Sequence, residues 1–279
     1  MSAPLRASIL VIGDEILSGH VHDANSGLLA ERLRAHGVPL DRVTTVPDDD
    51  AAIGEHLSLE LARARPRVIL TSGGLGSTPD DRTLPAIARL LGRELVDEPS
   101  LAAAVDRRLA QRDAAGEPVD PAHTAALRAL AKVPEGASLL GGSGFSSAVR
   151  VDLDGGADDP DGASLVALPG IPGELSRLTH EGVEPELLAG RGAPAHTEEL
   201  THPYPESHLT PTLERVVRDH PRVHVGSYPG PQCLVRLSGP REEVMAAMEQ
   251  VRAAVAALAA RPRARQEAAD WAAQWTTEP

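Results

Sequence analysis

The stretch Val68-Ile69-Leu70-Thr71-Ser72-Gly73-Gly74-Leu75-Gly76-Ser77-Thr78-Pro79-Asp80-Asp81-Arg82-Thr83 settles the fold class. Its first residues, with Arg67, form an apolar run without alternation, which reads as a strand buried on both faces of a helix-covered parallel sheet. Three glycines follow, and then a helix expected over about 84–91. Pro85 is tolerated only in a first helical turn, which makes Thr83 the expected N-cap. Ligands of open α/β sheets gather outside the carboxyl ends of the strands, where this loop begins. Gly73, Gly74 and Gly76 allow the backbone to come close to a ligand, and their N–H groups with the helix N-terminus suit a phosphate, with Ser72 beside them as a further ligand-binding residue. Asp80 and Asp81 then sit in the loop facing the same crevice. Carboxylates repel a phosphate unless a divalent cation lies between them, so Mg²⁺ or Mn²⁺ on Asp80 and Asp81 is the expected arrangement. The plainer alternative is a tight turn with two acids favoured by the helix dipole. A Walker A loop is excluded because no Gly-Lys-Ser/Thr follows, and a dinucleotide fingerprint because its third glycine is missing.

Working outward, residues 7–13 read as a buried strand, 26–36 as a helix stopped by Gly37, 40–46 as a strand and 51–65 as a helix. With strand 67–71 this order is that of a parallel sheet covered on both faces. Helices are expected at 84–91, 100–114 and 121–131. Strands at 145–153 and 164–168 flank an acidic loop, 154–161, that reads as an exposed hairpin tip. A helix over 173–189 closes the unit. Beyond the linker-like GRGAPAH (190–196) the pattern is strand 197–202, helix 206–219, strands 222–227 and 233–238, and helix 240–259. The last residues, 261–279, read as a polar, Ala-rich tail carrying Trp271 and Trp275.

The net charge of −13 opposes any general affinity for nucleic acid. The basic residues are Arg except for one, Lys132. Cys233, the single cysteine, forbids an internal disulfide and fits a reducing compartment; it lies in an apolar strand and reads as core. No signal-like segment or run of ~20 apolar residues is evident, so a cytoplasmic protein without a membrane partner is expected.

Other residues end strands at the same sheet edge. Gly13, Asp14 and Glu15 follow the first strand, as ligand-binding residues or as ordinary solvated loop. Asn25 precedes a helix and reads as its cap or as part of the site. Pro169, Gly170 and Glu174, in LPGIPGE, join a strand to a helix and either form a rigid turn or wall the crevice. His20 and His22 have HxH spacing but no evident third metal ligand.

Four segments together resemble the N-terminal region of the competence/damage-inducible protein A (CinA) family, within the molybdopterin-binding MoaB/MogA superfamily. They are IGDEILSG (12–19), DAN (23–25), VILTSGGLGSTPDDRT (68–83) and LPGIPGE (168–174), in the family's order and spacing over roughly residues 1–190. VHVGSYPGPQCLVRLSG (223–239) resembles the KH-like domain that follows in those proteins. The resemblance implies an α/β fold: a MogA-like three-layer domain with a mostly parallel sheet over 1–190, and a small α+β KH-like domain over 191–260. It also implies a homo-oligomer, dimer or trimer. Gly73, Gly74 and Gly76 would hold phosphate, and Asp80, Asp81 and Thr83 would occupy the catalytic DD-x-T positions.

The chain departs from the family at Pro79, where a lysine is usual, at Asp23, and at GGSGF (141–145), a shortened pocket wall. The nicotinamide-nucleotide amidase domain of full CinA proteins has no counterpart in these residues, and that activity is not expected. Three functions follow in order. The first is a metal-dependent hydrolase of nucleotide diphosphates such as ADP-ribose or FAD. The second is a molybdopterin-binding carrier or adenylyl transferase of cofactor synthesis. The third is a non-catalytic binding module. The KH-like segment lacks a GXXG loop and is acidic, so no nucleic-acid partner is expected.

Overall fold

The computed structural model describes residues 4–115, 120–142 and 147–275. They divide into two units, separated between Pro194 and Ala195. The first begins with β1 (Arg6–Ile12), the one-turn α1 (Asp14–Leu17), α2 (Asn25–Ala35), β2 (Leu40–Val46), α3 (Asp50–Leu61) and β3 (Arg67–Ser72). It continues with α4 (Thr83–Leu91), β4 (Leu95–Asp97), α5 (Pro99–Ala114), α6 (Pro121–Ala129), β5 (Lys132–Pro134), β6 (Ser138–Leu140), β7 (Ala148–Leu153), β8 (Ala163–Leu168) and α7 (Pro172–Leu178).

Six strands form one sheet in the order β2-β1-β3-β8-β7-β6. The first four are parallel; β7 pairs antiparallel with β8, and β6 antiparallel with β7. Alternation along each strand feeds two cores. Ile9, Val11, Leu70 and Val166 pack with Leu29, Leu33 and Leu175 on one face. Leu10, Ile12, Ile69 and Leu165 pack with Ile53, Leu57 and Ile87 on the other. The central strands β1, β3 and β8 are buried almost throughout because both their faces are covered. The result is the expected three-layer, mostly parallel α/β architecture. The chain passes from β1 to β2 on one side and returns to place β3 on the other. The order therefore reverses between β1 and β3, and their carboxyl ends open a crevice there.

Several local expectations are corrected. The short strands β4, β5 and β6 were not foreseen. The strand expected at 145–153 is β7, from Ala148; residues 143–146 lie outside the described ones. The 154–161 loop is not simply an exposed tip. It contains a 3-10 turn, Gly156–Asp158, whose Gly156 and Ala157 are buried. The single helix expected at 173–189 is α7 followed by a π-helical stretch, Thr179–Leu188, with Pro185 inside it. Proline has no N–H for an i→i−4 bond, so regular α-helical bonding is interrupted at that point.

Glu184 fastens this wide turn to α2. Its Oε1 accepts from Arg32 Nε at 2.5 Å, and its Oε2 from Arg32 Nη2 at 2.9 Å and lies 3.1 Å from His36 Nε2. The Arg32 guanidinium above all, with His36, pulls the Glu184 carboxyl down to about 2 from an ordinary 4.5, against the opposing effect of burial. A depressed folded pKa contributes stability that is fully present above about pH 4.5 and is lost as pH falls through about 2. Because Arg32 is partly solvated, the contribution is on the order of 2 kcal/mol. The Tm of Glu184→Gln should therefore fall below wild type at pH 7 and converge with it near pH 2. Differential scanning calorimetry across that range is the check; parallel curves would refute the assignment.

The second unit has β9 (His196–His202), α8 (Thr210–Asp219), β10 (His224–Tyr228), β11 (Cys233–Gly239), α9 (Arg241–Ala259) and α10 (Pro262–Gln274). Its antiparallel sheet runs β10-β11-β9. Val216, Val235, Leu237, Val244 and Met248 form its core, and Cys233 is buried as expected. The 261–279 segment contains α10, which packs on the rest of this unit. Ala264 and Ala268 lie four residues apart on one face and join the core, and Trp271 Nε1 donates to Gly230 O at 2.9 Å. Among the described residues no helix is long and apolar enough to cross a membrane.

Candidate functional site

The glycine loop leaves β3 through two residues with positive φ, Gly73 at +106° and Gly74 at +65°. A Cβ on Gly73 would lie 2.1 Å from the Ile12 carbonyl oxygen, so only glycine lets the loop turn against the end of β1. The turn is closed from the helix side. Thr83 N donates to Gly74 O at 3.2 Å, and Thr83 Oγ1 donates to Gly73 O at 2.7 Å. The amides of Gly74, Leu75, Gly76 and Ser77 meet no acceptor among the described residues. Asp81 holds the outer part of the loop: its Oδ2 accepts from Thr78 N at 2.7 Å and from Thr78 Oγ1 at 2.6 Å.

A cavity of about 380 Å³ opens beside this loop, lined by Ile12, Glu15, Asp48, Gly73–Gly76, Asp80, Asp81, Pro169, Gly170, Ile171 and Glu174. The crevice thus brings together Glu15, the glycine loop, Asp80, Asp81, Pro169, Gly170 and Glu174 from three separate strand ends. Five of its lining side chains are carboxylates, and none is Lys, Arg or His. Asp48 was missed by sequence reasoning. It follows β2 and accepts from Asp14 N at 2.8 Å. Burial first, then the neighbouring charges of Glu15, Asp14 and Asp80, raises its carboxyl above the ordinary range. The usable signal was that β2 runs parallel to β1, so its end opens on the same edge. Asp80 is exposed at the rim of the cavity.

Other expected site residues have different work. Thr83 is fully buried and spends its hydroxyl on Gly73 O; it is neither an N-cap nor a group facing a ligand. The Gly73 amide donates to Leu168 O at 3.1 Å, so Gly73 lines the cavity without offering a donor. The Gly13 amide is likewise taken by Val46 O, and Asp14 lies exposed beside the cavity. Asn25 does not cap α2. Asp23 Oδ1 does so, accepting from the amides of Asn25 and Ser26. Asn25 is buried, and its Nδ2 donates to Ser72 Oγ at 2.9 Å and to Gly170 O at 2.8 Å, stapling the ends of β3 and β8 together. These two residues and His22 line a smaller recess of about 80 Å³. Arg82 faces away from the cavity, with Nε donating to Pro79 O and Nη1 3.6 Å from Asp50. The GGSGF wall (141–145) falls partly outside the described residues.

An oxygen-only lining suits a hard divalent cation. Among the described residues, no three His, Cys, Asp or Glu side chains converge into a ready-made cage. The donor set therefore fits an ion held by one or two carboxylates together with ligand phosphate and water, the usual state of Mg²⁺.

Residues 8–189 match the family model described as a probable molybdopterin binding domain. The chain is 34% identical over 219 residues to a protein of Thermococcus kodakarensis, covering 78% of this chain and 84% of that one. A CinA-like protein of Mycolicibacterium paratuberculosis is 35% identical over 227 residues, 76% of this chain and 50% of that one. The chain thus spans about half the length of such CinA-like relatives. A solved structure of CinA from Thermoplasma acidophilum, of unknown function, superposes with a TM-score of 0.51 at 25% identity, over 64% of this chain and 95% of that one. Family model, relatives and fold agree: through residues 8–189 the chain belongs to the probable molybdopterin-binding domain family, with CinA-like proteins among its relatives.

Proposed function

We propose that the crevice binds a nucleotide diphosphate of the ADP-ribose or FAD class and hydrolyses its pyrophosphate bond with a divalent metal. The observation that carries this reading is four successive unbonded amides, Gly74 to Ser77, beside a cavity walled by five carboxylates. Amides turned outward from a Gly-rich turn select phosphate oxygens. The acidic wall demands a cation that travels with the anion. When bound, that cation would neutralise phosphoryl charge and acidify a water. Asp80, exposed at the rim, is the residue free to hold it. Asp81 fixes the loop through Thr78 and lines the same cavity.

Incubation with ADP-ribose and Mn²⁺ tests the reading by release of AMP. Asp80→Ala should lower that release at least tenfold at unchanged Tm, a loss in the range of one charge-assisted contact. Asp81→Asn keeps an acceptor for Thr78 and should lower turnover while preserving the fold. Wild-type protein that releases no AMP from ADP-ribose or FAD would rule out hydrolysis. A second reading, a molybdopterin carrier or adenylyl transferase, is favoured by the matched family's description. Co-purifying pterin fluorescence without turnover would select it. Neither signal would leave a binding module.

A further inference from the structure

We infer that Lys132 is the anion-binding residue of a second subsite, so that the diphosphate crosses the crest of the glycine loop instead of lying wholly within the acidic cavity. The inference rests on the phosphate-binding reading above. A second cavity of about 170 Å³ lies across the loop and shares Gly74, Leu75, Gly76 and Asp81 with the first. Its apolar floor is built by Leu84, Pro85, Leu95 and Leu130, and Lys132 closes one side. Lys132 is the only lysine in the sequence and, among the described residues, the only cationic side chain lining either cavity.

The charge contrast decides the sidedness. On one side an anion meets five carboxylates. On the other the lining holds Lys132, whose ammonium rests on the exposed Asp97 outside the cavity, and a single acid, Asp81, which is already bonded to Thr78. Arg82 serves neither side, being directed at Pro79 O and Asp50. Lys132 is held where it can act: β5 pairs with β4 in a register that sets Lys132 opposite Asp97, and Nζ lies 3.1 Å from Asp97 Oδ1. Both partners are substantially exposed, 44% and 63%, so the pair is weak and yields readily to a phosphate. A cavity of this volume is below the usual range for a whole ligand. It takes one fragment, a phosphate at Lys132 with a flat ring on the leucine and proline floor. The substrate class is therefore a diphosphate carrying a ring on its outer side, with its other phosphate facing the carboxylates.

Calorimetric titration of inorganic pyrophosphate in Mn²⁺-containing buffer, at two ionic strengths, tests this. Lys132→Gln should weaken binding about tenfold and flatten the salt dependence. Lys132→Arg should retain most of the affinity. Asp97→Asn, which frees the ammonium, should tighten binding about twofold, a gain that a purely structural role for Lys132 would not produce. Equal affinity in wild type and Lys132→Gln, or no tightening in Asp97→Asn, would overturn the subsite. If Lys132→Gln fails to fold, Asp97→Asn decides alone. If Lys132→Gln binds normally while wild type still cleaves ADP-ribose, only the subsite is lost. A wild type that binds no pyrophosphate overturns the phosphate reading and the subsite together.

Discussion

Gly73→Ala is expected to destabilise the first unit by about 3 kcal/mol and to remove ligand binding from whatever protein remains folded. The added methyl would lie 2.1 Å from the Ile12 carbonyl oxygen at a φ of +106°, which L side chains rarely adopt. Neither partner can yield cheaply. Ile12 is fixed in the ladder between β1 and β2, and Gly73 donates to Leu168 while accepting from Thr83. Relief requires rotating the loop, which would carry the amides of Gly74 to Ser77 off the cavity. Gly74→Ala meets the Thr83 hydroxyl instead, a side-chain atom, and should cost less, about 1–2 kcal/mol. Gly54→Ala is the control, because its Cβ would meet nothing within 4 Å in α3, and it should be neutral or stabilising. Urea denaturation of the three variants, with pyrophosphate titration of each, gives the ranking. A Gly73→Ala midpoint equal to wild type would show that the loop is free to move and that its amides are not held in place.

The long elements were legible because their patterns are long. β1, β3 and β8 each carry an apolar run at their centre, and α2 repeats Leu29 and Leu33 on one face. β4, β5 and β6 have three residues each, too few for a period to register against their surroundings. The site was legible wherever a motif marked a strand end, and illegible where tertiary pairing assigned the work. Asp48, Asp49 and Asp50 read alike in sequence but serve three purposes. Asp48 lines the cavity, Asp49 caps α3 through the amides of Ala51 and Ala52, and Asp50 pairs with Arg89 at 2.7 Å. Thr83 illustrates the reverse error. Its position before Pro85 suggested a cap, but α4 begins one residue earlier and the hydroxyl turns back to the glycine loop. Lys132 carried no motif at all; only the fold sets it across the loop from the carboxylates.

Arg67→Met should cost about 3–5 kcal/mol at pH 7, because it strands charge at the opposite end of the sheet from the crevice. Arg67 is 1% exposed, and it opens β3 in register with Arg6 of β1. Two like charges can sit side by side there because Asp41, from β2, pairs with both and Glu60, from α3, lies beside Arg67. Arg67 Nη2 donates to Asp41 Oδ2 at 2.6 Å, Nη1 donates to Ser8 Oγ at 2.7 Å, and Nη1 is 3.5 Å from Glu60. Arg6 foremost, then Arg67, holds the Asp41 carboxyl at about 2 against the effect of burial. Methionine fills the volume but leaves Asp41 and Glu60, both nearly buried, short of a partner, and without Arg67 the Asp41 carboxyl is held down less strongly, so its pKa must rise. The sign follows from that rise: protonation relieves the variant before it relieves wild type, so the gap in stability should narrow as pH falls from 7 towards 4. Replacing Asp41 and Glu60 by Leu as well should recover much of the loss, since a packed apolar cluster often matches a buried ionic one. Pyrophosphate affinity of the folded Arg67→Met fraction should stay near wild type, because the network lies a full strand length from the glycine loop. Guanidinium denaturation at pH 7 and pH 4 measures both effects. A loss below 1 kcal/mol, or one that ignores pH, would show that water or the flanking Arg42 and Arg63 already satisfy these carboxylates.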